Sequence, residues 1–84
     1  MQWQELRSQY PNTWVLFEAL EAHSVEGKRI VDRISLLNTY NEGEEALKAY
    51  RQYHKTHPDR ELYVAHTKRE ALEILERKWL GIRL

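Results

Sequence analysis

Cysteine is absent from this chain of 84 residues. Its absence excludes disulfides, thiolate nucleophiles and every zinc site built on sulfur. A domain this short buries only about 60–65% of the surface that its unfolded chain exposes, and it has no disulfide to compensate. We therefore expect a single domain spanning residues 1–84, with a core held together by packing alone.

Long apolar runs are also missing. The longest uninterrupted run, Trp14–Phe17, is one strand long, whereas a helix that crosses a bilayer needs about 20 apolar residues. The first residues have neither the basic nor the apolar region of a signal peptide. We therefore expect a cytoplasmic protein, and the lack of cysteine is compatible with a reducing compartment.

Neither sign of charge dominates the chain, because 13 basic side chains balance 13 acidic ones. This balance argues against a protein that coats a polyanion. Small proteins near neutrality also lack the mutual repulsion that keeps molecules apart. The composition is therefore compatible with association, either with a second copy or with another chain.

The motifs that identify common enzymes and cofactor sites are missing as well. The chain has no glycine-rich phosphate loop, no G-x-S-x-G elbow, no EF-hand loop and no H-E-x-x-H sequence. We therefore predict a protein with no cofactor, no metal site and no catalytic residue.

The histidines offer an alternative interpretation. His54 and His57 have a spacing that can place two imidazoles on one metal ion, but no acidic third ligand accompanies them. His66, at the end of a predicted strand, has no nucleophile to activate. A small hydrolase or isomerase that uses His66 or His54 is the third hypothesis for the function.

Glycine and proline are scarce and lie between the predicted elements. The spacing of Trp3, Leu6 and Tyr10 predicts a short helix that ends at Pro11. The β-forming residues that open 13–22 predict a strand, although the second half of this segment could equally be helical. The alternation over 30–40 predicts a long, twisted or bulged strand that pairs back as a hairpin, with residues 23–28 as the turn.

A second helix is predicted after the hairpin. Asn41 can cap it, and Glu44 and Glu45 lie in its first turn, where the helix dipole favours acidic side chains. This helix is expected to run from about Glu44 to His57. Residues 61–67 then predict a short, buried third strand.

The last segment has two interpretations. Thr67 and Glu70 form a capping-box pattern, and helical spacing of the later apolar residues predicts a second helix over 67–80. The alternative is a fourth strand paired with the third, because several apolar residues also share one parity. These residues are Leu72, Ile74, Leu80, Ile82 and Leu84.

The segments Trp3–Leu6 and Tyr10–Val15 resemble the start of small uncharacterised bacterial proteins with a short helix, a Tyr-Pro step and a Trp-Val strand. Glu61–Val64 is in the third-strand position of that pattern, and Trp79–Arg83 lies near its end. The resemblance implies no activity, cofactor or catalytic residue. It favours a strand for Leu72–Ile82.

These elements predict an α+β domain with an antiparallel sheet. A short N-terminal helix precedes a long β-hairpin, one covering helix and one or two further strands. Two layers would leave a sheet face or edge open, and three Trp and five Tyr residues exceed what a small core needs. We expect a non-catalytic interaction or accessory module, acting as a homodimer or on a larger protein. Its candidate interface residues are Trp14, Tyr63, Trp79 and Ile82.

A weak single-stranded nucleic-acid binder is the second hypothesis. Basic residues alternate with aromatic ones, a pattern that allows stacking and phosphate contact. The candidate contacts are Lys28, Arg29, Arg33, Lys68 and Arg69. Glu70, Glu73 and Glu76 interrupt this pattern, which favours a mixed-charge surface instead.

Overall fold

The structure is a computed structural model that describes residues 1–72 and 74–75 of the chain. Its elements, in chain order, are α1 (Trp3–Gln9), β1 (Trp14–Val25), β2 (Lys28–Tyr40), α2 (Gly43–Thr56), β3 (Leu62–His66) and β4 (Ile74–Leu75). The strands form one antiparallel sheet in the order β3-β1-β2-β4. The predicted α+β class and order of elements are confirmed.

The β1–β2 hairpin extends further than the sequence predicted. Residues 23–25, expected in a polar turn, continue β1, and the chain reverses at Glu26 and Gly27. These two residues have φ angles of 49° and 79°, as required by a two-residue turn whose twist matches the strands. The helical alternative for the second half of 13–22 is wrong, because Ala19 and Ala22 pair with β2.

Bulges interrupt the hairpin register. Leu20 in β1 has no directly opposite residue, and neither have Asp32 and Leu37 in β2. An extra residue shifts the alternation of side chains by one position. Val31 and Ile34 therefore reach the same core although their numbers differ in parity. This explains why Asp32 breaks the alternation in the sequence.

The sheet lies between the two helices. Phe17 packs against Trp3 of α1, with ring centroids 6.0 Å apart. Leu16 lines a cavity together with Ala49 and Tyr53 of α2. Because consecutive residues of a strand point to opposite faces, the two helices cover opposite faces. The arrangement has three layers rather than the expected two, although the half of the hairpin nearest its turn remains exposed, including Leu20, Val25 and Ile30.

The N-terminus closes part of one sheet edge. The Met1 ammonium group donates a 3.0 Å hydrogen bond to the Ile34 carbonyl, and the Ile34 N–H donates to the Met1 carbonyl at 2.7 Å. This pairing covers the outer side of β2 and holds α1 over the core. Trp3 of α1 is only 7% exposed.

The start of α2 differs from the prediction by one residue. The N-cap is Glu42 rather than Asn41, and its side chain makes no capping hydrogen bond. A Cβ atom at Gly43 would lie 3.1 Å from the Trp14 ring. The first turn of α2 therefore packs closely on Trp14, and a side chain at position 43 would require the ring to shift.

The helical alternative over 67–80 is wrong in its described part. The strand interpretation is confirmed at Ile74–Leu75, but this strand pairs with β2 rather than with β3. Residues 67–72 contain no helix, and Ile74–Leu75 form β4 opposite Lys28 and Arg29. The Thr67 hydroxyl accepts the Thr13 N–H instead of capping a helix. A helix would use the Arg69 carbonyl as a backbone hydrogen-bond acceptor, but here this carbonyl accepts a hydrogen bond from the Trp3 indole N–H. Tertiary contacts thus override the local helix signals.

The remainder of that segment lies outside the described residues, together with the candidate interface residues Trp79 and Ile82. No helix in residues 1–72 and 74–75 is long and apolar enough to cross a membrane.

Candidate functional site

β3 is an edge strand that pairs with β1 on one side. The Glu61 carbonyl accepts the Ala19 N–H of β1, so the odd-numbered positions direct their backbone groups toward β1. The even-numbered residues Leu62, Val64 and His66 therefore direct theirs away from the sheet. Within residues 1–72 and 74–75, no strand pairs with this outer side.

An apolar groove of about 240 Å³ lies beside this edge. Leu47 and Tyr50 of α2 form one wall, and Leu62, Tyr63 and Val64 of β3 form the other. Leu47 is 46% exposed. A free strand edge beside an apolar groove suits the addition of another strand, because backbone groups provide affinity and alternate side chains enter the groove. We call these five residues and the outer side of β3 the β3 edge site.

Charged residues of α2 flank the β3 edge site. Glu44 lies three residues before Leu47 and Arg51 four residues after it, so both share its flank of the helix. Neither has an ion-pair partner in the part of the chain that the structure describes. This flank of α2 therefore has an acidic residue on one side of the exposed Leu47 and a basic residue on the other.

Two of the candidate interface residues lie at or near this site. Tyr63 belongs to β3, but its ring packs on the α1 face against Phe17, at 5.8 Å. Trp14 contacts the His66 ring edge-on at 5.1 Å and the start of α2 at Gly43. Both rings thus contribute to packing within the sheet layers.

The groove is also lined by Leu47, which is exposed, by the half-buried Val64 and by the buried Leu62. The sequence did not single out these three residues. Each fits a regular helix or strand pattern. Only the strand order identifies the edge on which they lie.

An ion-pair network joins the hairpin to the start of β3. Arg29 of β2 binds Glu61 through two hydrogen bonds of 2.8 Å, and the Tyr63 hydroxyl donates to the same carboxylate at 2.5 Å. The hydrogen bond from Arg29 lowers the pKa of Glu61 below its ordinary 4.5, against the effect of burial. Burial and the hydrogen bond to Glu61 raise the pKa of Tyr63 from 10.0 to about 12.

Replacement of Glu61 by glutamine is expected to lower the free energy of unfolding by about 1–2 kcal/mol at neutral pH. Because the Glu61 pKa is lowered on folding, the network stabilises the protein above pH 4.5 and loses this effect as the pH falls through the lowered value. Because the Tyr63 pKa is raised, stability is also lost as the pH rises from 10.0 toward about 12. Urea unfolding as a function of pH measures both limits.

The glutamine variant provides the control for this pH dependence. Its loss of stability between neutral and acid pH should be smaller than that of the wild type, because the Glu61 carboxylate no longer titrates. Equal acid slopes in the two proteins would contradict this assignment.

The candidate nucleic-acid contacts do not come together. Lys28 follows the hairpin turn, whereas Lys68 and Arg69 lie in the turn after β3, near the start of β1. At roughly 3.3 Å per residue, the length of β1 separates these two ends by more than about 30 Å. Arg29 binds Glu61, and Arg33 lies 3.4 Å from Glu21. Two of the five cations thus have carboxylate partners, and Lys28 lies far from Lys68 and Arg69.

The three candidate histidines contact aromatic rings and backbone groups. His54 stacks on Tyr50, with ring centroids 5.7 Å apart, and His57 stacks on Tyr53 at 4.2 Å. His66 Nδ1 accepts the N–H of Lys68 at 3.1 Å. Across residues 1–72 and 74–75, no group of three or more His, Cys, Asp or Glu side chains could hold a metal ion.

Comparison with known proteins gives this chain no family. No protein-family model, curated protein or solved structure matches it. The resemblance to small bacterial proteins therefore rests on the short segments quoted above, and the function has to be argued from the geometry of the β3 edge site.

Proposed function

We propose that the protein is a non-catalytic interaction module that acts as a homodimer, with two copies joined through their β3 edge sites. The observation that carries this proposal is the unpaired outer side of β3 next to an apolar groove. A two-fold axis through β3 would make the contact isologous, so the same surface serves on both copies. The two four-stranded sheets would become one sheet of eight strands.

The register of the added strand follows from the two-fold axis. Antiparallel pairing about Val64 places each Val64 opposite the other and Leu62 opposite His66 of the second copy. These are the residues whose backbone groups point outward, so they form the hydrogen-bonded pairs. The His66 carbonyl also accepts the Arg69 N–H at 3.1 Å, and a carbonyl oxygen has two lone pairs for two donors.

The helices are placed to pack in the same dimer. α2 lies over β1 and β3, since it approaches Trp14 at Gly43 and forms the groove with Leu62. With strands about 4.8 Å apart, an axis just outside β3 puts the two α2 helices about 10 Å apart. Helices in contact are typically 8–10 Å apart. Leu47 of each copy would lose its exposure between them.

Charge complementarity favours a second copy over an unrelated chain. α2 runs antiparallel to its counterpart across the axis, so Glu44 of one copy faces Arg51 of the other. The midpoint between these two residues falls next to Leu47, which lines the same groove as Val64. The centre of the charge pattern and the centre of the strand pairing therefore coincide, and each dimer gains two ion pairs.

Sedimentation of the wild-type protein over a range of concentrations tests the proposal, with a reversible dimer expected. Val64→Pro should weaken dimerisation about tenfold or more, because it removes an N–H donor that points away from β1. Val64→Thr keeps the donor and the β-branched shape and should dimerise like the wild type. Circular dichroism establishes that both variants fold.

A charge exchange distinguishes this dimer from other modes of association. Glu44→Arg should weaken dimerisation by placing like charges across the axis, and the double variant Glu44→Arg with Arg51→Glu should restore it. A strictly monomeric wild type would overturn the proposal. A dimer that is insensitive to Val64→Pro, or an edge that binds only extended peptides of another protein, would do so as well.

We place this module in the cytoplasm. The lack of cysteine agrees with a reducing compartment. The proposed dimer needs no cofactor, because its affinity comes from backbone hydrogen bonds and apolar contact.

A further inference from the structure

A further cavity, of about 450 Å³, lies on the far side of the sheet from α2. α1, the loop before β1 and the turn after β3 border it, and it is open to solvent. Its polar lining consists of Gln4, Arg7, Ser8, Asn12, Thr67 and Lys68. Two of these side chains are cationic and none is acidic, so the cavity favours a negatively charged ligand.

Arg7 is half-buried and has hydrogen-bonding capacity to spare. Its Nε donates to the Thr67 carbonyl at 2.8 Å and a terminal nitrogen donates to Gln4 Oε1 at 2.9 Å. A guanidinium has five N–H donors, so three remain. Neither Arg7 nor Lys68 has an ion pair with a carboxylate in residues 1–72 and 74–75. A partly buried cation is more stable when a ligand supplies the missing negative charge.

The walls of the cavity are held in place by tertiary contacts. Thr67 is 3% exposed, and its hydroxyl accepts the Thr13 N–H at 2.9 Å. The Trp3 indole N–H donates to the Arg69 carbonyl at 2.9 Å. The turn that carries Lys68 is therefore fixed against α1, and binding costs little ordering of the backbone.

We propose that this cavity binds the phosphate group of a small phosphate monoester. A dianion matches the two cations, and its oxygens accept hydrogen bonds from Arg7, Lys68 and the Ser8 hydroxyl. The volume is in the range of small-molecule sites. A nucleic-acid strand fits less well, because Lys28 is at the far end of the hairpin and Arg33 is paired with Glu21.

Titration with inorganic phosphate and with glycerol phosphate, followed by amide-resolved NMR, tests this site. Saturable shifts are expected at Arg7, Ser8, Asn12 and Lys68, and the monoester should bind at least as tightly as the free ion. Added salt should weaken both. The Val64→Pro variant should bind equally well, so failure of this site is distinguishable from failure of the dimer.

Variants at the site provide the second test. Lys68→Ala should reduce the affinity about tenfold, and Arg7→Lys should also reduce it, because lysine keeps the charge but loses the planar donor set. The matched control, Lys48→Ala on α2, should leave the affinity unchanged. Absence of saturable shifts would overturn the proposal. Equal binding by Lys68→Ala and the wild type, or tighter binding of a single-stranded oligonucleotide than of glycerol phosphate, would do so too.

Discussion

Replacement of Phe17 by alanine is expected to lower the free energy of unfolding by about 3–5 kcal/mol. Phe17 has no exposed surface and contacts the rings of Trp3 and Tyr63, at centroid distances of 6.0 and 5.8 Å. The substitution removes the ring that joins α1 to the sheet and leaves a cavity. A domain of this size has a total stability of about 4–13 kcal/mol, so this change alone brings it close to unfolding.

Chemical denaturation monitored by tryptophan fluorescence measures the effect, because Trp3 packs directly on Phe17. Phe17→Leu is the matched control, since it retains most of the apolar volume and should lose clearly less stability. A loss below about 1 kcal/mol for the alanine variant would contradict the position of this ring in the core.

Replacement of Leu16 by alanine is expected to cost about 2–5 kcal/mol, although Leu16 is next to Phe17 in the chain. It is 2% exposed and packs on the opposite face, under α2. In a two-layer fold one of these two neighbours would face solvent and tolerate substitution. Large losses at both positions are thus specific to a sheet covered on both sides.

Leu20→Ala is the matched control for the second prediction. Leu20 is 46% exposed at a bulge of the same strand, and its truncation should change the stability by roughly 0.5 kcal/mol or less. Equilibrium unfolding in urea compares the two leucine variants directly. Similar losses at Leu16 and Leu20, or no loss at Leu16, would contradict the placement of α2.

Most of the order of elements could be predicted because it depends on local patterns. The spacing of Trp3 and Leu6 is helical and Pro11 ends that helix, and acidic side chains open α2 as the helix dipole favours. The β-forming residues after Pro11 extend into β1. Local sequence patterns predict these segments correctly because their tertiary contacts agree with their intrinsic preferences.

Residues 67–72 show where local patterns fail. Thr67 and Glu70 have the spacing of a capping box, yet the Thr67 hydroxyl binds the Thr13 N–H and the backbone carbonyls that follow accept hydrogen bonds from α1. These partners are more than fifty residues away in the chain. No window of neighbouring residues contains that information, so the helix signal could not be recognised as misleading.

The sequence predicts the general kind of functional surface but not the residues that line it. The sequence predicts an exposed sheet face or edge, with Trp14, Tyr63, Trp79 and Ile82 as its interface residues. In the structure Trp14 packs on His66 and the start of α2, whereas Tyr63 packs on Phe17 and also lines the groove at the free edge with Leu47 and Val64. Aromatic content is a property of the composition, but exposure depends on which strand lies at the edge.

The sequence by itself determined the two helices and the first three strands, the antiparallel α+β class and the exclusion of chemistry that needs cysteine sulfur, because these follow from residue types and short-range periodicity. Only the tertiary structure decided that the helices cover opposite faces and that β3 has a free outer side. It also decided that Arg7 lines a cavity with Lys68. These features depend on backbone hydrogen bonds and packing between segments far apart in the chain, which periodicity along the chain does not specify.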